Sequence, residues 1–363
     1  MKRGETSRIE RYLRDFRERF EPFLTGWLER EVVRLTEVDR IGRVMAEAIS
    51  EFTLRGGKRI RAALVNIGYS LAGGLDASRI FLACVAYELL HAYFLIQDDI
   101  ADKDYTRRGR PTVHRRFQEI YSEILSPLSE EEREHFANSI AMFDGNICRS
   151  MAFKALSELD FSTELVLKAV RHFGALDEST NVGQVVDILA PLKAGFMEKG
   201  VMKIAQLKTA RYTIEGPLQL GMILAGAGDE QLRQISDYAI PVGEAFQIRD
   251  DILGVFGSEE EMGKPVTSDL EEAKKTLLTV FVQRRGGRFW KKLSPVLGKK
   301  GLTLMELKEA RAIFRSSGAL REAEVFACKL VEEGKSALGR LSLPEEFKAL
   351  LSELADYLVA RRT

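Results

Sequence analysis

Apolar residues recur every three to four positions along most of the chain. Leu82, Val85, Ala86, Leu89 and Leu90 form one such face, the period of a helix that buries one side. Few stretches alternate apolar and polar residues as strands do. Ala, Leu, Glu, Lys and Arg dominate the long segments, and only 9 of 363 residues are proline, so intrinsic propensity agrees with the period. Turn signals fall at Gly56-Gly57, Gly73-Gly74, Arg108-Gly109-Arg110-Pro111, Gly226 to Asp229, Gly254 to Pro265, Gly286-Gly287 and Ser342-Leu343-Pro344. Each interval between them suits one long helix. No linker or low-complexity tract divides the pattern. It predicts an all-α fold, a helical bundle forming one domain over residues 1–363, with a charged, amphipathic helical part from about Thr303 onward as an appendage.

Composition narrows the class. With 45% hydrophobic and 30% charged residues, the chain has the make-up of a globular protein with ample core. Lys plus Arg equals Asp plus Glu at 54 each, so no global field recruits nucleic acid or an anionic membrane. Any anion site must be local. Cys84, Cys148 and Cys328 are too scattered for a disulfide framework or a zinc site, and predict small buried residues in a reducing compartment. The first 21 residues are too charged for a signal peptide, and no run reaches the roughly 18 apolar residues of a membrane span. Together these point to the cytoplasm.

One acidic phrase occurs twice, as Phe94-Leu95-Ile96-Gln97-Asp98-Asp99-Ile100 and as Phe246-Gln247-Ile248-Arg249-Asp250-Asp251-Ile252. Carboxylates in so apolar a setting need cations. Asp98 and Asp102, four apart, project from one helix face toward a common point. Two hard oxygen donors there suit magnesium, with water or phosphate oxygens completing its octahedron. Asp99 points elsewhere and is expected to pair with a cation. In the second phrase Gln247 precedes Asp250 and Asp251, and Gly254 stands where a third carboxylate would fall. Asp250 is the expected ligand. A single Asp-Asp pair is usually a solvated surface feature; two in matching apolar settings are not.

Basic clusters supply what a metal would bridge. Gly56-Gly57-Lys58-Arg59-Ile60-Arg61 places Lys58 and Arg61 on one face if a helix begins there, behind glycines that let backbone approach a phosphate. Arg107, Arg108 and Arg110 follow the first acidic site closely, where they either bind an anion or neutralise the carboxylates. Lys208-Thr209, Lys264 and Lys274-Lys275 are candidates for a third basic wall. Taken singly, each lysine reads as a surface residue.

The ensemble carries a resemblance. Gly57-Lys58-Arg59-Ile60-Arg61, His91 ahead of Asp98-Asp99 and Asp102, Arg107-Arg108-Gly109-Arg110-Pro111-Thr112, Gly183-Gln184 with Asp187, Lys208-Thr209, Gln247 with Asp250-Asp251, and Gly263-Lys264-Pro265, in this order, resemble the trans-isoprenyl diphosphate synthase (polyprenyl synthetase) family. The match covers approximately residues 50–280. It implies an all-helical fold around a deep cavity, with the acidic motifs facing each other across its mouth. It also implies head-to-tail condensation of isopentenyl diphosphate with an allylic diphosphate, with magnesium as cofactor, three ions being expected. Asp98, Asp102 and Asp250 resemble the family's metal ligands. Arg107, Lys208 and Lys264 resemble its allylic diphosphate contacts, joined by Thr209, Gln247 and Lys274. Gly57, Lys58, Arg61, His91 and Arg108 match the isopentenyl diphosphate site. A homodimer is the expected assembly.

Departures from the pattern are Gly254, Ala273 where glycine is usual, and Asp144-Gly145-Asn146 where many relatives carry Ala-Gly-Asp. Tyr93 and Phe94, one turn or so before Asp98, would make a shallow cavity floor and a short product, C15 ahead of C20. Rival readings are a terpene cyclase, a squalene-synthase-like condensing enzyme and a noncatalytic subunit of a heteromeric synthase. Neither of the first two needs Lys58 and Arg61 as a second anion site, and the third would be expected to have lost ligands that this chain keeps.

Overall fold

The computed structural model describes residues 6–193, 195–258 and 266–360. They are helical almost throughout, as the apolar period predicts, and group into two compact units. The first runs to Val170 and also takes in Leu220–Gly226; the second comprises Arg171–Gln219 and the chain from Ala227 onward.

The first unit holds α1 (Arg8–Thr36), α2 (Arg40–Leu54), α3 (Ile60–Leu71), α4 (Phe81–Asp102), a two-stranded hairpin of β1 (Thr106–Arg107) and β2 (Arg110–Pro111), α5 (Val113–Ile120), α6 (Ser122–Leu125), α7 (Glu130–Ser157) and the start of α8 (Thr163–Leu189). Local chemistry sets several starts. Ser7 with Glu10, and Ser129 with Glu132, form reciprocal capping boxes that satisfy the first amides of α1 and α7. α4 is apolar on nearly every side, with Ala83 to Leu90 buried, so it must be surrounded. α7 is its most extensive neighbour. Phe16, Phe20 and Phe81 close the α1 side of this core, with ring centroids 5.2 to 6.2 Å apart.

The second unit contains the rest of α8, a short 3₁₀ turn (Ala190–Leu192), α9 (Glu198–Ile204), a π-helical stretch (Ala205–Glu215), the start of α10 (Gly216–Leu224), α11 (Asp229–Phe256), α12 (Ser268–Glu271), α13 (Leu277–Arg285), α14 (Gly287–Leu293), α15 (Leu304–Ser316), α16 (Ala319–Arg340) and α17 (Glu345–Val359). α11 is its axis and packs on the π stretch and on α16. Two glycines allow this. A Cβ on Gly243 would meet the Ala210 backbone at 2.5 Å, and one on Gly334 would meet Val242 at 2.7 Å. The C-terminal helices are therefore core of this unit and not an appendage: the Tyr238 hydroxyl, fully buried, donates to the Leu351 carbonyl at 2.7 Å.

Cys84 and Cys148 are buried as expected, whereas Cys328 is exposed on α16. Among the described residues no helix is long and apolar enough to cross a membrane.

Candidate active site

Asp98 and Asp102 lie on the last turn and a half of α4 and are half-buried. Asp99, about 100° round the helix from Asp98, is fully buried and pairs with Arg107 at 2.5 Å. Arg107 also approaches Asp98 at 3.8 Å and Asp104 at 3.7 Å. Burial raises the Asp99 carboxyl to about 7 even with Arg107 beside it. Asp99 thus holds the arginine, as its helical phase predicts.

The hairpin that carries Arg107 and Arg108 is fastened from α2. Glu51 accepts from Arg110 at 2.8 Å and Arg116 at 2.9 Å, and Arg55 donates to the Pro111 carbonyl at 2.7 Å. Arg108 reaches across to the Gly56 carbonyl at 2.5 Å. Its guanidinium lies 3.2 Å from where Gly57 would carry a Cβ, and Gly57 takes φ 122, a conformation that favours glycine.

Lys58 lies in the loop and Arg61 in the first turn of α3, which begins at Ile60. The shared helix face expected for them is absent, because Arg59 between them is left-handed at φ 51. Arg61 contacts His91 of α4 at 3.3 Å. Burial, then Arg61, Arg108, Arg107 and Arg59, hold the His91 imidazole well below its usual pKa. This is a local concentration of positive charge in a protein of zero net charge.

The second unit assembles its own set. Lys208 and Thr209 sit on the π stretch, a geometry frequent at functional sites. Gly183 of α8 lets this stretch approach, since a Cβ there would meet the Lys208 amide nitrogen at 2.7 Å. Lys208 pairs with Asp187 at 2.8 Å. The Thr209 hydroxyl donates to Gln247, whose amide donates to Asp251 at 2.6 Å. Burial pushes the Asp251 carboxyl well up; the Gln247 amide opposes this, and Asp269, Asp250 and Asp187 add to it. Asp250 stands half-buried on α11. Lys274 pairs with Glu272 at 3.0 Å and Asp269 at 3.4 Å. Lys264 lies outside the described residues.

Among the described residues no group of three or more His, Cys, Asp or Glu is arranged to hold a metal ion. Asp98 and Asp102 offer only part of a coordination sphere, and the donors are all carboxylate oxygens. That set fits magnesium, which keeps waters and takes substrate phosphate oxygens.

A family model for polyprenyl synthetase matches residues 43–313. The chain belongs to the polyprenyl synthetase family. It is 33% identical to the geranylfarnesyl diphosphate synthase of Aeropyrum pernix, over 84% of this chain and 91% of that protein. It is 30% identical to the geranylgeranyl diphosphate synthase of Sulfolobus acidocaldarius, over 87% and 90%. Its fold is similar to the crystal structure of geranylgeranyl pyrophosphate synthase from Corynebacterium glutamicum complexed with isoprenyl diphosphate and magnesium. The TM-score is 0.88 at 28% identity, over 96% of this chain and 99% of that one. This family member is a prenyltransferase with the all-helical fold that the resemblance implied.

Its departures acquire physical reasons. A Cβ on Gly254 would lie 2.0 Å from an Asp269 carboxylate oxygen, so Asp269 fills the space where the third carboxylate of the second phrase would stand. Sequence reasoning missed Asp269 because a residue 15 positions away has no helical spacing to it. Gly145 allows α7 to approach α4, where a Cβ would meet the Gln97 amide at 2.6 Å. Asp144 beside it is fully buried with neither carboxyl oxygen hydrogen-bonded, and burial pushes its pKa well up. Ala273 takes φ 53, the left-handed region that favours glycine.

Proposed function

We propose that this prenyltransferase condenses isopentenyl diphosphate with a short allylic diphosphate to give a C15 or C20 product. The observation that carries this reading is the contact of Arg61 with His91 at 3.3 Å, with Arg108 held to the Gly56 carbonyl in the loop that precedes Lys58. Arg59 and Arg107 already have carboxylate partners in Glu88 and Asp99, but Arg61 and Arg108, set about a ring that burial keeps uncharged, give a local positive field that attracts an anion. Lys58, Arg61, His91 and Arg108, with Gly57 making room, would take isopentenyl diphosphate. The allylic diphosphate falls to Arg107, Lys208, Lys264 and Lys274 and to the magnesium ligands Asp98, Asp102 and Asp250. The names of the relatives above, which include a protein complexed with isoprenyl diphosphate and magnesium, support the substrate class. Three ions is the stoichiometry we infer.

Magnesium, when bound, supplies positive charge that stabilises departing diphosphate. The chain's own groups do the rest. As the allylic carbon–oxygen bond breaks, the lysines and Arg107 meet the charge growing on the leaving oxygens. Thr209 and Gln247 present oxygen dipoles toward the cation. The double bond of isopentenyl diphosphate then forms the new carbon–carbon bond, and a proton leaves. Preorganisation is visible in the ion pairs: Asp187 holds the Lys208 ammonium and Asp99 holds the Arg107 guanidinium before substrate arrives.

We also infer a homodimer. Phe136 and Phe143 on α7, seven residues apart, are 48% and 60% exposed, and Val182, Val185 and Leu189 on α8 are exposed as well; apolar faces of this kind suit a second copy. A noncatalytic subunit is the other reading, opposed by the retained Asp98, Asp102, Lys58 and Arg61.

The two diphosphate sites are separable kinetically. Lys58→Ala and Arg61→Ala should raise KM for isopentenyl diphosphate far more than KM for the allylic partner. Lys208→Ala should mainly lower kcat through allylic ionisation, each charge-assisted contact being worth about 1.5 to 3 kcal/mol. Identical profiles for the two groups would reject the assignment.

A further inference from the structure

Arg59 adopts φ 51 and ψ 32 at the residue just before α3. A non-glycine residue in this region is strained, and it persists only where its surroundings hold it there. The holding groups are specific. Arg59 is 4% exposed; its Nη1 donates to Glu88 at 2.6 Å and to the Thr53 carbonyl at 2.9 Å, and its Nε to Glu21 at 3.1 Å. One guanidinium thus ties the start of α3 to α1, to the end of α2 and to α4. Glu88 is 5% exposed and precedes His91 by one turn of α4, so the two share a face. Arg59 thus lies between Lys58 and Arg61 in the chain and is tied to the helix that carries His91. The 3.3 Å contact of Arg61 with His91 closes the circuit.

We propose that the buried Arg59–Glu88 ion pair is a positioning device that sets affinity for isopentenyl diphosphate without touching it. The pair holds Lys58, Arg61 and His91 in the geometry that receives the diphosphate; this rests on the function proposed above. The left-handed backbone is what turns the Lys58 and Arg61 side chains out of a common helical register, and the ion pair is what keeps that backbone in place.

Removing one partner strands a buried charge and destabilises the fold, whereas removing both with apolar residues is often neutral. The decisive variant is therefore Arg59→Met with Glu88→Leu in one chain. It should melt close to wild type and yet show KM for isopentenyl diphosphate raised at least about tenfold, a loss comparable to one charge-assisted contact. The allylic KM and kcat should change less than about threefold. Arg59→Lys, which keeps the charge but not the fork, should restore part of the affinity. A folded double variant with wild-type KM, or with both KM values raised alike, would show the pair to be only structural and overturn the proposal. Should the double variant fail to fold, Arg59→Lys, which leaves no charge unpaired, must show the same split at smaller size.

Calorimetric titration of the full chain with inorganic pyrophosphate in magnesium-free buffer reads the same site without turnover. Weaker binding by the double variant supports the proposal, and unchanged binding contradicts it. If wild type binds pyrophosphate but does not elongate, the functional reading fails while the titration still decides the positioning role. Absence of pyrophosphate binding to wild type would remove the site and the proposal together.

Discussion

Ala273 holds φ 53 directly ahead of Lys274. The left-handed region costs an L-residue about 1–2 kcal/mol, while glycine would bring back about 0.5–1 kcal/mol of unfolded-chain freedom. Ala273→Gly should therefore stabilise the protein by about 0.5–1 kcal/mol, read as a raised denaturation midpoint at unchanged slope. A lowered midpoint would show that neighbouring contacts of the methyl group outweigh the strain. At this scale legibility was uneven. The burial of Asp99 against Arg107, with Asp98 and Asp102 left half-buried, follows from helical spacing, so the sequence carried it. The faces of Lys58 and Arg61 did not, because a left-handed residue inside Gly56-Gly57-Lys58-Arg59 leaves no pattern to read. The ion pairs of Arg59 with Glu88 and of Lys208 with Asp187 join residues far apart in the chain, which no local period reveals.

Two helix contacts carry predictions of their own. On α4 the rings of Tyr93 and Phe94 lie 5.1 Å apart, Tyr93 buried and packed toward Gly145 of α7, Phe94 half-buried. If these rings end the growing chain, Tyr93→Ala or Phe94→Ala should shift product toward C20 and longer, and the double change further. A large-to-small change at a buried ring costs about 3–5 kcal/mol, so the product ratio, not total rate, is the readout. An unchanged ratio in a folded double variant would place the stop elsewhere. In the α11–α16 contact, burial and then Glu333 raise Glu244 to about 7. Glu244 therefore binds its proton more tightly folded than unfolded. Its contribution to stability is full below the ordinary glutamate pKa, about 4.3, and is lost as pH rises through about 7. Glu244→Gln should lose less melting temperature than wild type between about pH 5 and pH 8; parallel curves would contradict this.

For the whole molecule, the helical class was readable because apolar period, propensity and turn signals agree along nearly the entire chain. The place of the C-terminal helices was not. Their charged outer faces resemble those of an appendage, and only the packing of Gly334 against Val242 and the bond from Tyr238 to Leu351 show them as core. The central claim is that this chain alone elongates an allylic diphosphate. Incubation of the purified protein with magnesium, radiolabelled isopentenyl diphosphate and dimethylallyl, geranyl or farnesyl diphosphate tests it directly. The expected result is a labelled linear allylic diphosphate of C15 or C20; cyclised hydrocarbon, or no incorporation with any of the three partners, would contradict it.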